Sequence, residues 1–317
     1  GADKAAFRAK AIEKGYLYRS IPRVYGGSEQ PMDTLAAQVI REEFAAAGAP
    51  GEVRGIGPQM VVPTLLEHGT DAQKDRFIRP TIAGEIRWCQ GYSEPSAGSD
   101  LASLRTKGEL RDGKWIINGQ KIWTSYAREC HFMFALIRTE PDAPKHEGIS
   151  YLLIDLDQPG IDIRPLRQIN GGNDFNEVFF DDAETPADMI VGERGKGWTV
   201  SKSLLKHERN MLGGVDRSEA LFESVLKLAQ RSEIDGQPAI RDTSVRDRLA
   251  RLRALLETQR MSANIQLSRD VAGAPQGVLP MTNKLAQSDF SQEISALAME
   301  LVGDDGLLTP GTRQPQG

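Results

Sequence analysis

Two short segments carry side chains that can bind a flat, polar ligand. Residues 89–100, CQGYSEPSAGSD, are rich in glycine and small hydroxyl residues, so their backbone amides, with the Ser93 and Ser99 hydroxyls, can cradle a phosphate or a polar ring edge. In the second segment Trp123 stands beside Thr124 and Ser125, where an indole can stack on an aromatic cofactor while a hydroxyl donates to a ring nitrogen. Taken singly, the first segment is equally typical of a polar loop and the second of a core tryptophan.

A third candidate is a carboxylate on an apolar helical stripe. Glu208 follows Leu204 and Leu205 by four and three residues, and the stripe continues through Met211, Leu212 and Val215. Desolvation on such a stripe would raise the pKa of the carboxyl toward the range useful to a general base. The alternative is a glutamate at the edge of the stripe that pairs with Arg209 or another basic residue.

Several other chemistries are excluded by the motifs that are missing. The sequence has no G-x-G-x-x-G or Walker-type signature, its four histidines lack H-E-x-x-H spacing, and its two cysteines form neither a disulfide framework nor a metal-ligand pattern. A net charge of −5 without a long basic run makes nucleic acid an unexpected partner. No basic leader or membrane-length apolar stretch occurs, so we expect a cytoplasmic protein without membrane insertion.

The elements that must position these residues change in type along the chain. Apolar spacing of three and four predicts helices in the first part, where Asp71 is expected to cap one of them. β-Branched residues and closely spaced turns then predict strands, with Asp112-Gly113 and Asn118-Gly119 as the turns of a double hairpin. Helical spacing returns after Gly197. We therefore predict a helical domain over 1–86, a β-barrel over 87–195 and a helical bundle over 196–317, an α+β multidomain fold.

Six stretches in the right order resemble the acyl-CoA dehydrogenase family. They are IPRVYGG, LLEHGTDAQKDRFIRPTIAGE, SEPSAGSDLASLRT, NGQKIWTSYA, FNEVFFDDAETPADMIVGERGKGW and HER. The resemblance implies an FAD-dependent oxidoreductase of fatty acid or lipid breakdown. It would convert an acyl-CoA thioester to the trans-2-enoyl-CoA, pass electrons to an electron-transfer flavoprotein and work as a homo-oligomer or a heterotetramer with a homologous chain.

The resemblance also assigns roles to individual residues. It implies cofactor contacts at Gln90, Gly91, Tyr92, Ser93, Ser99, Trp123, Thr124 and Ser125. The indole of Trp123 would lie against one flavin face, with the hydroxyl of Ser125 near the reactive flavin nitrogen. Ser99 and Arg209 would contact the acyl-CoA. Glu208 would be the base, as in the branch resembling isovaleryl-CoA and long-chain dehydrogenases.

Two departures from the family pattern keep alternatives open. Most members carry the base on a C-terminal Y-E-G-T loop, which this sequence, C-terminally incomplete relative to the family, does not contain. Residues 235–249 also lack the Phe-Gly that reaches a neighbouring subunit's cofactor. The alternatives are therefore a non-catalytic or half-site subunit of a heteromeric dehydrogenase, and a flavin oxidase or monooxygenase on the same fold.

Overall fold

The computed structural model describes residues 2–212, 215–275 and 277–307, without the side chains at 2, 206–212, 216 and 280. The chain divides into two compact units, Gly1–Glu208 and Arg209–Gly317. Its main helices are α1 (Ala2–Glu13), α2 (Thr34–Ala46), α3 (Val62–His68), α4 (Asp71–Ala83), α5 (Gly197–Leu212), α6 (Val215–Arg231), α7 (Thr243–Val271) and α8 (Leu279–Val302). The predicted order of helices, strands and helices is confirmed.

Helix α4 begins one residue earlier than a cap at Asp71 would place it. The cap is Thr70, whose hydroxyl accepts a hydrogen bond from the Gln73 amide at 3.2 Å, while the Gln73 side chain accepts one from the Thr70 amide at 3.1 Å. This reciprocal capping box satisfies two amides that would otherwise lack partners. The prediction of Asp71 as the cap was wrong, and Asp71 is instead the first helical residue, where a carboxylate is favoured by the helix dipole.

One eight-stranded sheet forms the middle of the first unit. Its strands are β1 (Trp88–Gly91), β2 (Lys107–Arg111), β3 (Lys114–Ser125), β4 (Phe132–Arg138), β5 (Ile149–Asp155), β6 (Ile161–Pro165), β7 (Phe175–Pro186) and β8 (Ile190–Val191). The order is β6-β7-β3-β2-β4-β5-β8, and β1 pairs in parallel with β4. The sheet curls until β7 meets β5, where the Thr185 hydroxyl donates to the Leu153 carbonyl at 2.7 Å.

One of the two predicted hairpin turns is present. Asp112 and Gly113 have φ values of +49° and +78° and join β2 to β3, as a two-residue turn requires. Asn118-Gly119 is not a turn, because β3 continues through it and pairs with β7 on both sides. The register shift there is a bulge in β7, because the three steps from Phe180 to Ala183 oppose the two from Ile117 to Gly119. Gly119 has φ +144°, and a Cβ on it would lie 2.7 Å from Thr106.

The sheet encloses a continuous apolar core. It contains inward-facing side chains of five strands, among them Cys89, Trp115, Ile117, Met133, Ile154 and Val178. Strands β4 and β5 are buried along nearly their whole length. The sheet is therefore a rigid support for the segments at its edge.

The second unit is a helical bundle with its own core. Helices α6, α7 and α8 pack through Phe222, Leu252, Leu256, Phe290 and Ile294, all of them buried. A short hairpin, β9 (Glu233–Ile234) with β10 (Gln237–Pro238), precedes α7. Among the described residues, no helix is both long and apolar enough to cross a membrane.

Candidate functional site

The segment that leaves β1 is held close to the sheet. Gly91 has no room for a side chain, since a Cβ would lie 2.3 Å from the Met133 sulfur. Tyr92 follows it and is buried, with its ring edge-on to Phe134 at 5.9 Å. The backbone of residues 90–93 consequently leaves the sheet along a path that only glycine at position 91 permits.

A buried ion pair fixes the next residue. The Lys121 ammonium is fully buried and lies 2.9 Å from the Glu94 carboxylate, which is 6% exposed. The same carboxylate accepts hydrogen bonds from the amides of Arg105 at 2.6 Å and Thr106 at 2.9 Å. Sequence reasoning missed this pair. The available signal was Lys121 itself, which alternates in phase with the inward-facing Trp115 and Ile117 of β3.

Both partners have shifted protonation equilibria. Burial lowers the pKa of Lys121 to about 8, although the charge of Glu94 opposes that change. Burial alone would raise the pKa of Glu94. The Lys121 charge and the hydrogen bonds from Thr106, Lys121 and Arg105 outweigh it, so the pKa of Glu94 is lowered. Glu94 is consequently ionised at neutral pH, and so is most of Lys121.

A second bulge turns Trp123 outward. In the pairing of β3 with β7, Lys121 faces Val178 and Thr124 faces Asn176, so β3 holds one extra residue. Trp123 lies in this bulge with φ +60°, in the left-handed region that an aromatic side chain rarely occupies. Its indole is 60% exposed and stands edge-on to Phe175 at 6.2 Å. Backbone strain at an exposed aromatic residue is typical of a ligand site.

The two segments and two helical regions surround one cavity of about 260 Å³. The backbone amide of Ile122 joins the segments by donating to the Ser93 carbonyl at 2.9 Å. Five predicted site residues line the cavity, namely Gln90, Tyr92, Ser93, Trp123 and Ser125. Its other lining residues are Ile56, Leu101, Ile122 and Leu205, and none of these was predicted.

Three further predicted residues do not line this cavity. Gly91 is buried against β4, and Ser99 is exposed beyond the segment that follows β1. Thr124 lies on the opposite face of β3 from Trp123 and is fully buried, with its hydroxyl unpaired among the described residues. The bulge explains this placement. With Lys121 inside, regular alternation would turn Thr124 outward, and the extra residue sends Thr124 inward and Ser125 outward.

Glu208 and Arg209 belong to α5, but their side chains lie outside the part of the chain that the structure describes. Leu205, three residues before Glu208, lines the cavity. Residues three apart on a helix share one side of it. The role of Glu208 stays a prediction.

The donors around the cavity fit part of a large aromatic cofactor. A volume of about 260 Å³ lies just below the roughly 300–1,000 Å³ of pockets that enclose whole drug-sized ligands. The exposed indole offers a flat apolar face, and the Ser93 and Ser125 hydroxyls and the Gln90 amide offer hydrogen bonds at the rim. This combination suits a ring system with polar atoms along one edge. Among the described residues, no group of three His, Cys, Asp or Glu side chains is placed to hold a metal ion.

Comparisons with known proteins match nearly the whole chain. The family model of the acyl-CoA dehydrogenase N-terminal domain matches residues 2–85 of this chain. The models of the middle and C-terminal domains match residues 89–183 and 195–315. The acyl-CoA dehydrogenase IpdE1 of Mycobacterium tuberculosis is 38% identical over 97% of this chain and 78% of its own length. FadE34 of the same organism is also 38% identical, over 93% of this chain and 40% of its own length.

Two solved structures share the fold. The Tcur3481-Tcur3483 steroid ACAD has a TM-score of 0.80 at 27% identity, over 98% of this chain and 79% of that one. The ChsE4-ChsE5 complex from Mycobacterium tuberculosis has a TM-score of 0.78 at 29% identity, over 96% of this chain and 78% of that one. The arrangement of helices, sheet and helices is therefore the one these proteins have.

Proposed function

Because the chain belongs to the acyl-CoA dehydrogenase family of oxidoreductases, we propose that it binds FAD at the described cavity and converts an acyl-CoA to the trans-2-enoyl-CoA. The observation that carries the proposal is the convergence of an outward-turned Trp123 with Ser93 and Ser125 around one cavity. Residues that are 30 apart in sequence meet there. Their types match the polar-edged aromatic ring that the family relationship calls for.

Each side chain has a stated task in this proposal. The indole of Trp123 covers one face of the flavin, and the Ser125 hydroxyl donates a hydrogen bond at the edge of the ring. Gln90, Tyr92 and Ser93 form the opposite rim. Ser99 and Arg209 remain proposed contacts of the acyl-CoA, and Gly91 and Thr124 contribute through the backbone that carries their neighbours.

Glu208 is proposed as the base that removes the proton from the α-carbon. Its carboxylate takes that proton, while the electron pair of the broken C–H bond forms the α,β double bond and a hydride leaves the β-carbon. FAD, when bound, supplies the acceptor for that hydride. Leu204, which is buried, and Leu205, which lines the cavity, precede Glu208 on α5 by four and three residues and support this proposal.

The acyl group is proposed to be large, and the enzyme is proposed to work with partners. One structural relative is named a steroid ACAD, which supports a steroid-derived acyl-CoA as the substrate class. Relatives named as pairs, Tcur3481-Tcur3483 and ChsE4-ChsE5, support a heteromeric assembly with a homologous chain. An electron-transfer flavoprotein as acceptor and a cytoplasmic location complete the proposal.

The proposed FAD binding is tested on the full-length protein, both alone and co-expressed with its candidate homologous chain. Denaturation is expected to release free FAD, and an anaerobic panel of acyl-CoAs, including steroid-derived ones, is expected to bleach the flavin. A colourless complex that FAD does not reconstitute would refute cofactor binding and favour the partner-subunit alternative. Rapid reoxidation of the reduced enzyme by oxygen would favour an oxidase.

The base is tested by Glu208→Gln, which keeps the shape of the side chain and removes its basicity. Positioned proton transfer contributes about 10² to 10⁴ in rate, so flavin bleaching is expected to slow at least about a hundredfold while FAD stays bound. Lys202→Gln, on an exposed position of the same helix, is the matched control and should leave the rate unchanged. Near-normal bleaching by Glu208→Gln would eliminate it as the base.

A further inference from the structure

We infer that the buried Lys121–Glu94 pair is the positioning device of the cofactor cavity, and that it holds the walls on β1 and β3 at the separation a flavin ring requires. The inference rests on the proposed function, because it names FAD as the ligand. It concerns residues that do not line the cavity. Lys121 and Glu94 are therefore positioning residues and not catalytic ones.

The Lys121 ammonium joins three parts of the sheet. It lies 2.9 Å from the Glu94 carboxylate, donates to the Tyr92 carbonyl at 3.2 Å and donates to the Leu136 carbonyl on β4 at 2.7 Å. An ammonium group has three donors, and all three are used here. The position of Lys121 is thus fixed from three directions, and in turn it fixes the backbone on both sides of Ser93.

The pair occupies the point at which the two cavity walls are connected. Glu94 directly follows Tyr92 and Ser93 in one wall, and Lys121 directly precedes Ile122 and Trp123 in the other. The Ile122 amide closes the connection by donating to the Ser93 carbonyl at 2.9 Å. A change in the separation of Lys121 from Glu94 would therefore move cavity residues on both walls together.

Stability alone does not account for such a pair. The cost of removing two charges from water often equals or exceeds their attraction, so apolar replacements of similar shape are commonly neutral or stabilising. What an ion pair adds is a set of directional hydrogen bonds, because the carboxylate and the ammonium group each hold their hydrogen-bond partners at defined distances. Here those partners are the Tyr92 carbonyl and the amides of Arg105 and Thr106, all of them backbone groups.

The test is the double variant Lys121→Met/Glu94→Gln, since removal of one partner alone would leave an unpaired buried charge. The matched control is Lys114→Met/Glu184→Gln, which removes an exposed ion pair of 2.5 Å between the same two residue types, with its lysine also on β3 and its glutamate on β7. Both variants are measured in the full-length protein for urea unfolding, FAD dissociation constant, visible flavin spectrum and amide hydrogen exchange.

The inner double variant is expected to fold but to bind FAD at least about tenfold more weakly, with an altered flavin spectrum. Amide exchange is expected to accelerate at residues 92–94 and 121–123 and at the Arg105 and Thr106 amides that Glu94 accepts from, while the rest of the sheet is unchanged. The control should match the wild type in every measurement. FAD binding within threefold of the wild type, or a loss of binding equal to the loss of folded protein, would overturn the inference.

The exchange measurement separates this inference from the proposed function. If the wild type binds no FAD, the proposed function fails, whereas selective acceleration at the two walls would still support the positioning role. Unchanged exchange at residues 92–94 and 121–123 would refute that role whether or not FAD binds. A double variant that does not fold would be replaced by Glu94→Asp, which keeps both charges but shortens the carboxylate side chain by one methylene, and the same criteria would apply.

Discussion

At the scale of single residues, Lys121 links the pH of the solution to the stability of the sheet. Its pKa is about 8 in the folded protein and about 10.4 in an unfolded chain. Well below pH 8 the lysine is protonated in both states and its contribution does not change. Between these two values the unfolded chain binds the additional proton, so this group makes the free energy of unfolding increase with pH.

We therefore predict a pH-dependent difference between the wild type and Lys121→Met/Glu94→Gln, which lacks both titrating groups. The difference in unfolding free energy should be nearly flat below about pH 7, should begin to rise as the pH passes through about 8, and should rise by at most about 1.4 kcal/mol per pH unit toward pH 10. Urea denaturation at each pH measures it. A difference that decreases with pH above 8 would contradict the lowered lysine pKa.

At the scale of elements, the bulge in β3 exposes Trp123 to the cavity at a cost to the stability of the strand. Alternation along a regular strand would turn Trp123 inward after the outward-facing Ile122, whereas the extra residue leaves both side chains on the cavity face. The left-handed backbone at Trp123 costs about 1–2 kcal/mol for a residue other than glycine. The exposed indole recovers little of this cost in the folded protein.

Trp123→Gly is therefore expected to weaken FAD binding about tenfold or more, while the stability of the cofactor-free protein changes by less than about 1 kcal/mol. Glycine relieves the backbone strain, which offsets the lost edge contact with Phe175. Tyr126→Gly is the control, because Tyr126 is also left-handed and exposed but does not line this cavity. Equal losses of FAD affinity in both variants would assign the effect to backbone flexibility.

At the scale of the whole molecule, the second unit presents apolar side chains that its own core does not use. Met261 and Ile265 on α7 are 63% and 47% exposed, and Met281 and Leu285 on α8 are 60% and 63% exposed. These helices are already joined to each other through Leu256 and through the Ser262 hydroxyl, which is 2.6 Å from Asn283. These four exposed apolar side chains support the predicted oligomer.

We predict that Ile265→Glu/Leu285→Glu shifts the assembly to smaller species at micromolar concentration, because charges at a packed apolar contact are costly to bury. Light scattering coupled to size-exclusion chromatography measures the change. Met32→Glu is the control, since Met32 is an exposed apolar residue of the first unit. An unchanged oligomer in the helix variant would show that subunits associate through another surface.

The sequence by itself determined the order of elements, the family and most of the residues at the cavity. Local information is sufficient for these features. A short window of sequence contains each helical or strand periodicity, the turn at Asp112-Gly113 and each motif, and the motifs then follow one another in the family's order. Ser93, Trp123 and Ser125 were predicted from such segments, Gln90 and Tyr92 from the family resemblance those segments carry, and the structure places all five around one cavity.

Only the tertiary structure decided how those residues are presented. Asn118-Gly119 has the composition of a turn, but it lies within β3 opposite a bulge of β7, because β7, about 60 residues further along the chain, pairs with β3 on both sides of it. The same pairing forms the second bulge, which turns Trp123 outward and leaves Thr124 inside. The Lys121–Glu94 pair depends on two strands meeting across 27 residues. Strand register is set by partners distant in sequence, so no local pattern contains it.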